Sequence, residues 1–129
     1  MHSKDLAPVV LRVSIALLFL YFGFSQIYSP DKWVSFVPEF AILSGMTANN
    51  LVIFNGVLEL VLGSFLIVGI YVRFSALILS LHLFGIAISI GFTPLGIRDF
   101  GLAFATFVVY LFGPDNYTID NKFNLKNPN

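Results

Sequence analysis

The chain contains no cysteine among its 129 residues, and only 11% of its residues are charged. The absence of thiols excludes disulfide exchange, thiolate nucleophiles, cysteine-ligated iron–sulfur clusters and thiolate metal sites. Seven basic residues balance seven acidic ones, so charge provides no case for nucleic acid binding. We therefore predict no metal centre, no covalently bound cofactor and no nucleic acid partner, and a redox role would need a borrowed cofactor.

Apolar residues dominate what is present. They make up 57% of the chain, and the mean hydropathy is +0.88. A water-soluble domain of this size could not hide so much apolar surface, so the composition predicts an integral membrane protein in contact with the lipid bilayer. A bilayer core needs about 20 mostly apolar residues per helix. Four stretches are long enough, and they are numbered here as spans 1 to 4: residues 8–28, 51–70, 73–92 and 97–112.

The predicted fold is one all-α domain over residues 1–129, a bundle of four transmembrane helices. The polar tail, residues 114–129, is expected to order only when a partner docks. Span 1 lacks the small-residue cleavage site of a secretory signal, so we expect it to be retained. The positive-inside rule predicts that both termini are cytoplasmic. The basic residues of the cytoplasmic end would be Lys4, Arg12, Arg73, Lys122 and Lys126, against Lys32 and Arg98 at the outer end.

The connection between spans 1 and 2 has apolar residues at helical spacing. They are Trp33, Phe36, Val37, Phe40 and Leu43. Pro38 interrupts the pattern. We expect an amphipathic segment that lies flat in the membrane interface. It either anchors the two spans through an interfacial tryptophan or forms a lid over an opening that admits lipophilic molecules.

Each span carries one stripe of small or polar residues. In lipid, small residues let backbones approach and polar residues seek partners across helices, so the four stripes should face one interior. The stripes are Arg12, Ala16, Phe19, Gly23 and Gln26; Asn55, Gly56, Glu59 and Gly63; Ser75, Leu79, His82 and Ser89; and Asp99, Ala103, Thr106 and Tyr110. The remaining faces, rich in Phe, Leu, Ile and Val, should contact lipid.

Glu59 is the most informative single residue because it lies near the middle of span 2. A carboxylate in hydrocarbon costs several kcal/mol, about 2.5 to 3.5 by the lowest estimates. A rise of about 1.5 Å per residue puts Glu59 and His82 at a similar depth, about 13 Å from the surface. We predict that these two residues are partners and form the catalytic pair. The alternative is structural: Glu59 and Asn55 would set the helix register, and His82 would be a packed polar residue.

Six further polar residues are the ligand-binding candidates. They are Arg12, Gln26, Trp33, Asn55, Arg98 and Asp99. All except Arg12 fall toward the outer end, which predicts a polar column that opens outward and ends at Glu59 and His82. Arg12 lies on the cytoplasmic side, where it either reaches toward this column or extends to the headgroups. Arg98 and Asp99 also have a simpler interpretation, that of capping the start of span 4.

An ordered set of short motifs extends from Leu11 to Asp120. It comprises Leu11-Arg12, Phe22-Gly23, Gln26, Trp33, Asn55-Gly56, Glu59-Leu60, Gly63, Arg98-Asp99-Phe100-Gly101-Leu102, Phe112-Gly113-Pro114 and Asp120. This set resembles the DoxX family of small four-helix membrane proteins. The resemblance implies a bacterial or archaeal cytoplasmic membrane and, through some relatives, a link to quinone-reducing complexes. Many relatives carry lysine at the position of Gln26, and this departure weakens any mechanism that needs a positive charge there.

Three classes of function remain open. In the first, the protein is a small subunit of a quinone-linked oxidoreductase: a quinone binds, Glu59 and His82 relay protons, and a partner subunit supplies electrons. In the second, it is a noncatalytic assembly or chaperone subunit that binds another membrane protein through its Phe-rich faces. In the third, it is a permease for a small solute or for protons. Four helices leave a narrow interior, so a permease would need a very small substrate or a homo-oligomer.

Overall fold

The computed structural model describes residues 3–124, and every regular element in that range is helical. Four helices are long and apolar enough to cross a membrane, as the sequence predicts. Two short helices are added to these, one in the connection between the first two long helices and one in the tail. The elements in chain order are α1 (Ser3–Tyr28), α2 (Glu39–Ile42), α3 (Ala48–Val68), α4 (Val72–Ile90), α5 (Pro94–Phe112) and α6 (Ile119–Asn124).

The helix ends carry identifiable capping groups. The side chain of Thr47 accepts a hydrogen bond at the start of α3, and the side chain of Thr93 does the same at the start of α5. Gly69 ends α3 in the left-handed region at φ 84°, where a residue without a Cβ is favoured. The turn between α3 and α4 is formed by residues 69–71, so α4 begins at Val72, one residue before the predicted start of span 3.

The four long helices form a ring. α1 packs along α3 and α4 packs along α5, while contacts of α3 with α4 and of α1 with α5 join the two pairs. Because the chain crosses four times, α1 begins and α5 ends at the same end of the bundle. We call this the terminal end and the opposite one the distal end. The cytoplasmic location of the terminal end remains a prediction.

The buried stripes agree with the sequence pattern in three of the four long helices. In α4 the prediction fails at Ser89, which is exposed, while Leu83 and Ala87 are buried instead. The predicted stripe assumed a seven-residue repeat, but a straight helix drifts about 20° per heptad relative to that repeat. The buried face of α4 has rotated off Ser89 by the second heptad. Large apolar side chains cover the outside of the bundle, as expected for contact with lipid.

The connection between α1 and α3 is not one amphipathic helix. It consists of 3₁₀ turns at Pro30–Lys32 and Val34–Phe36, followed by α2. Pro38 takes an extended conformation at ψ 147° and separates the turns from α2. Trp33 and Val37 face inward and line a cavity, whereas Leu43 is 86% exposed. The segment thus covers the distal end, and its position in the membrane interface remains a prediction.

The described part of the polar tail is ordered by contacts within the chain, which corrects the expectation that it needs a partner. The Asp120 carboxylate accepts hydrogen bonds from the backbone amides of Tyr71 at 2.9 Å and Val72 at 2.8 Å. Its backbone amide donates to the Gly69 carbonyl oxygen at 2.9 Å. Asp120 therefore caps α4 and holds the tail on the terminal end. The rest of the predicted tail, residues 125–129 with Lys126, lies outside the described residues.

Candidate functional site

A cavity of about 650 Å³ occupies the distal half of the bundle. All four long helices contribute to its lining, and the connection between α1 and α3 covers it. Most of the lining is apolar. The polar and charged lining residues are Tyr21, Ser25, Gln26, Lys32, Asn55, Glu59, His82, Arg98 and Asp99. The cavity therefore brings together seven of the eight sequence-predicted site residues, since Trp33 also lines it and only Arg12 does not.

The polar end of the cavity depends on a close approach of α1 and α3. A Cβ on Gly23 would lie 2.9 Å from the carbonyl oxygen of Gly56, and a Cβ on Gly56 would lie 2.8 Å from that of Gly23. Only glycine at both positions permits this backbone contact. Gln26 and Glu59 each lie three positions beyond one of these glycines, so the contact brings their side chains together.

Gln26, Asn55 and Glu59 form a closed hydrogen-bond network. The Asn55 side-chain amide donates to Gln26 Oε1 at 2.6 Å and to Glu59 Oε1 at 3.1 Å. The Gln26 amide donates to Glu59 Oε2 at 3.2 Å. Both carboxylate oxygens of Glu59, which is 4% exposed, are thus held by neutral amides. None of the residues from 3 to 124 forms an ion pair with Glu59.

His82 lines the same cavity but is not bonded to Glu59. Its Nε2 atom is buried and has no hydrogen-bond partner within the described chain. The prediction that Glu59 and His82 are partners is therefore wrong, since no direct hydrogen bond joins them. Glu59 faces α1 instead, and its oxygens accept from Gln26 and Asn55. A buried polar atom without a partner is costly. Because His82 lines the cavity, its Nε2 atom is available to a molecule that binds there.

Arg98 and Asp99 lie at the distal opening. They form an ion pair at 3.4 Å, in which the Arg98 side chain is 53% exposed and that of Asp99 is 11% exposed. Thr93 provides the cap of α5 by accepting from the Gly96 amide at 3.1 Å. The capping interpretation therefore does not explain Asp99, which lines the cavity. Arg98 and Lys32 give this opening a positive rim.

Trp33 closes the cavity from the side of the connection. Its indole Nε1 donates to Ser25 Oγ at 3.1 Å, which ties the connection to α1. Its ring packs edge-on against Phe22, with centroids 5.6 Å apart. Trp33 is the single tryptophan of the chain, so its fluorescence reports directly on the cavity wall.

Arg12 lies outside this cavity, at the terminal end, and takes neither of its two predicted positions. Its guanidinium forms an ion pair with Asp115 at 2.7 Å and donates to the carbonyl oxygens of Leu66 at 2.6 Å and Ile67 at 3.1 Å. Arg12 is 3% exposed, so it does not extend to the headgroups. Asp115 was missed from the sequence; its one signal is an acidic side chain that follows a helix-ending Gly113-Pro114 pair.

Comparison with known proteins supports the family and little beyond it. The model of the DoxX family matches residues 7–92, a range that includes most of α1, all of α2 to α4 and all the cavity residues except those of α5. The match confirms the predicted resemblance. Neither a curated protein nor a solved structure matches the chain.

Proposed function

Because this chain belongs to the DoxX family of membrane proteins and carries four membrane-spanning helices, we propose that it is the quinone-binding subunit of a membrane oxidoreductase system. The distal cavity would be the quinone site. The observation that carries the proposal is the buried, unpartnered Nε2 of His82 on the wall of a mainly apolar cavity. The carboxylate of Glu59, which lines the same cavity, supports it.

The cavity fits a quinone in size, polarity and donor groups. Its volume of about 650 Å³ lies within the usual range for small-molecule sites, about 300 to 1,000 Å³. Its apolar walls suit a flat hydrocarbon ring. His82 in its Nε2–H form can donate to one quinone oxygen, and Arg98 at the opening offers a second donor group. When bound, a quinone supplies an acceptor for two electrons and two protons.

Each polar residue of the cavity has a distinct role in this proposal. His82 Nε2 binds and orients the ligand. Glu59 holds a proton at its carboxylate, and Gln26 and Asn55 keep that carboxylate in one orientation through the network at its two oxygens. Trp33, which packs edge-on against Phe22, forms part of the apolar wall along which the ring of the ligand would lie. Electrons would come from the redox centre of a partner subunit.

The membrane and its sidedness belong to the same proposal. We place the protein in the cytoplasmic membrane, with the terminal end in the cytoplasm. Among the described residues, Lys4, Arg12, Arg73 and Lys122 lie at the terminal end, against Lys32 and Arg98 at the distal end, and the positive-inside rule favours this orientation. The cavity then opens toward the outer side.

The test uses Trp33 as the probe. Purified protein in mild detergent is titrated with a short-chain soluble quinone, and quenching is compared with that of a free tryptophan derivative to correct for absorption by the quinone. We expect saturable quenching in the wild type. His82→Ala should bind about threefold to tenfold more weakly, as expected for the loss of one hydrogen bond. Ser89→Ala is the matched control, because Ser89 is exposed on the same helix.

Two results would contradict the proposal. A folded wild type that shows no saturable quenching has no quinone site, and the assembly or chaperone function would then be preferred. Equal binding by His82→Ala and the wild type would remove the observation on which the proposal rests.

A further inference from the structure

The cavity is confined to the distal half of the bundle. Its lining residues lie at or beyond Leu18 in α1, no deeper than Glu59 in α3, at or beyond His82 in α4, and no deeper than Leu102 in α5. The charged and titratable side chains that share the cavity with His82 are Tyr21 from α1, Lys32 from the covering segment, Glu59 from α3, and Arg98 and Asp99 from α5. All of these groups lie between the floor of the cavity and the distal opening.

Below the cavity floor the bundle interior is packed with apolar side chains. Leu66 lies seven residues beyond Glu59, so the packed region is about 10 Å thick along α3. A water molecule needs both space and several polar partners, and close-packed apolar side chains provide neither. The residues of this region, which we call the packed layer, are at most 6% exposed: Ala16, Leu62, Leu66, Ala76, Leu79 and Ala103.

The hydroxyl groups near the packed layer do not form a chain across it. Ser80 Oγ donates to the Leu77 carbonyl oxygen at 3.0 Å, and Thr106 Oγ1 donates to that of Leu102 at 2.7 Å. Each hydroxyl is thus bonded to its own helix. Ser75 Oγ is buried and has no partner in the described part of the chain. A proton path from the terminal end would need a connected series of donors and acceptors, and these side chains do not provide one.

The terminal end is closed a second time by the start of the tail. The ion pair of Arg12 and Asp115 is buried, with side chains that are 4% and 3% exposed. Arg12 also bonds the Leu66 carbonyl oxygen at the end of α3. Thr118 is fully buried and donates to the Asp115 carbonyl oxygen at 2.8 Å. These contacts hold the tail over the end of the bundle on the terminal side of the packed layer.

We infer that the cavity is open to the distal side of the membrane only, and that Glu59 and His82 exchange protons with that side and not with the terminal side. The inference deepens the proposed function: the protons that accompany reduction of a bound quinone by the partner's electron donor enter from the distal side. One-sided access itself depends only on the cavity, the packed layer and the closed terminal end. It also disfavours a continuous pathway through a single copy of the chain.

The absence of cysteine from the natural sequence makes a direct test of access practicable. Single cysteines are introduced one at a time, and a membrane-impermeant, charged thiol reagent is added to one side of reconstituted vesicles. Ile86→Cys reports on the cavity, Ser75→Cys and Thr106→Cys report on the region below its floor, and Lys4→Cys marks the terminal side. Each cysteine placed in the interior is smaller than the residue that it replaces or close to it in size. A folded sample of each variant is selected by gel filtration.

The expected pattern is one-sided. Ile86→Cys is labelled only from the side opposite to the one that labels Lys4→Cys. Ser75→Cys and Thr106→Cys are labelled from neither side until the protein is unfolded. Labelling of Ile86→Cys from the terminal side would overturn one-sided access. Labelling of both Ser75→Cys and Thr106→Cys in the folded protein would overturn it as well.

Proton exchange is tested separately with His82→Cys, because the thiolate is the species that reacts. Vesicles are prepared with different pH values on their two sides, and the reagent is added to the distal side. We expect the labelling rate to follow the distal pH and to stay unchanged when only the terminal pH is varied. A rate that follows the terminal pH would overturn the inference. Neither measurement requires a quinone, so failure of the quinone proposal is distinguishable from failure of this one.

Discussion

The backbones of α1 and α3 meet at Gly23 and Gly56, each of which lacks space for a Cβ because of the carbonyl oxygen of the other. This contact lies one helical turn from the bonds of Gln26 to Asn55 and Glu59. A contact between two backbones, with no polar side chain in it, thus determines whether a polar network can form. It gives the glycines of the sequence pattern a structural role that is separate from the role of the polar residues.

Gly23→Ala should destabilise the bundle by about 1 to 3 kcal/mol, because the new methyl group must move a backbone rather than a side chain. A Cβ there would lie 2.9 Å from the Gly56 oxygen and 3.0 Å from the Leu60 nitrogen. The free energy of unfolding in mixed micelles measures the effect. Gly85→Ala is the matched control, since no atom lies within 4 Å of its Cβ position, and it should be neutral or stabilising. Equal effects of the two substitutions would contradict the prediction.

Arg12→Met should lower the free energy of unfolding by about 3 to 5 kcal/mol, the usual cost of removing one member of a buried ion pair. The substitution leaves Asp115 buried without its cation, and the carbonyl oxygens of Leu66 and Ile67 lose their donor. The double variant with Asp115→Asn should be less destabilised than the sum of the two single variants. Additive effects in this cycle, measured by chemical unfolding, would show that the pair is not coupled.

Glu59→Gln should weaken the polar network by about 1 to 3 kcal/mol, although the two side chains have nearly the same shape. Both oxygens of Glu59 accept from amide groups of Gln26 and Asn55. In the variant an NH2 group replaces one of these oxygens, and it would face an N–H donor instead of being bonded by it. A buried donor without an acceptor costs about this much. Thermal unfolding measures the change. Adding Gln26→Glu to the variant should restore part of the lost stability by returning an acceptor, and no restoration would count against the network.

Ser25→Ala should loosen the covering segment without unfolding the bundle. It removes the acceptor of the Trp33 indole bond of 3.1 Å, a loss of about 0.5 to 1.5 kcal/mol. We expect Trp33 emission to shift to longer wavelength and its quenching by acrylamide to increase. Ser64→Ala is the control, because Ser64 is exposed on α3 and donates to the Leu60 carbonyl oxygen. Unchanged emission in Ser25→Ala would show that this bond does not hold the segment.

The sequence was sufficient to predict the all-helical fold, the four long helices and most of the residues that line the cavity. The reason is energetic: in lipid each backbone polar group must be satisfied within its helix, so apolar length alone identifies the spans. Polar residues in such spans are costly and face the interior, which is why Gln26, Asn55, Glu59 and Asp99 were identified without a structure. Ser89 was misplaced because a small pattern error accumulates along a helix.

The sequence offered the pair of Asn55 and Glu59 within one helix, which the structure contains. Pairing between side chains of different helices could not be predicted, because it depends on the direction in which each one leaves its helix and on the distances between helices. Depth alone suggested Glu59 and His82 as partners, yet the Gly23 and Gly56 contact turns Glu59 to the amides of α1 and α3 and leaves His82 unpaired. Sequence separation likewise hid the Arg12 and Asp115 pair. Composition and periodicity determine that the chain enters the membrane with a polar interior. The arrangement of the helices determines which polar groups bind one another and which remain available to a ligand.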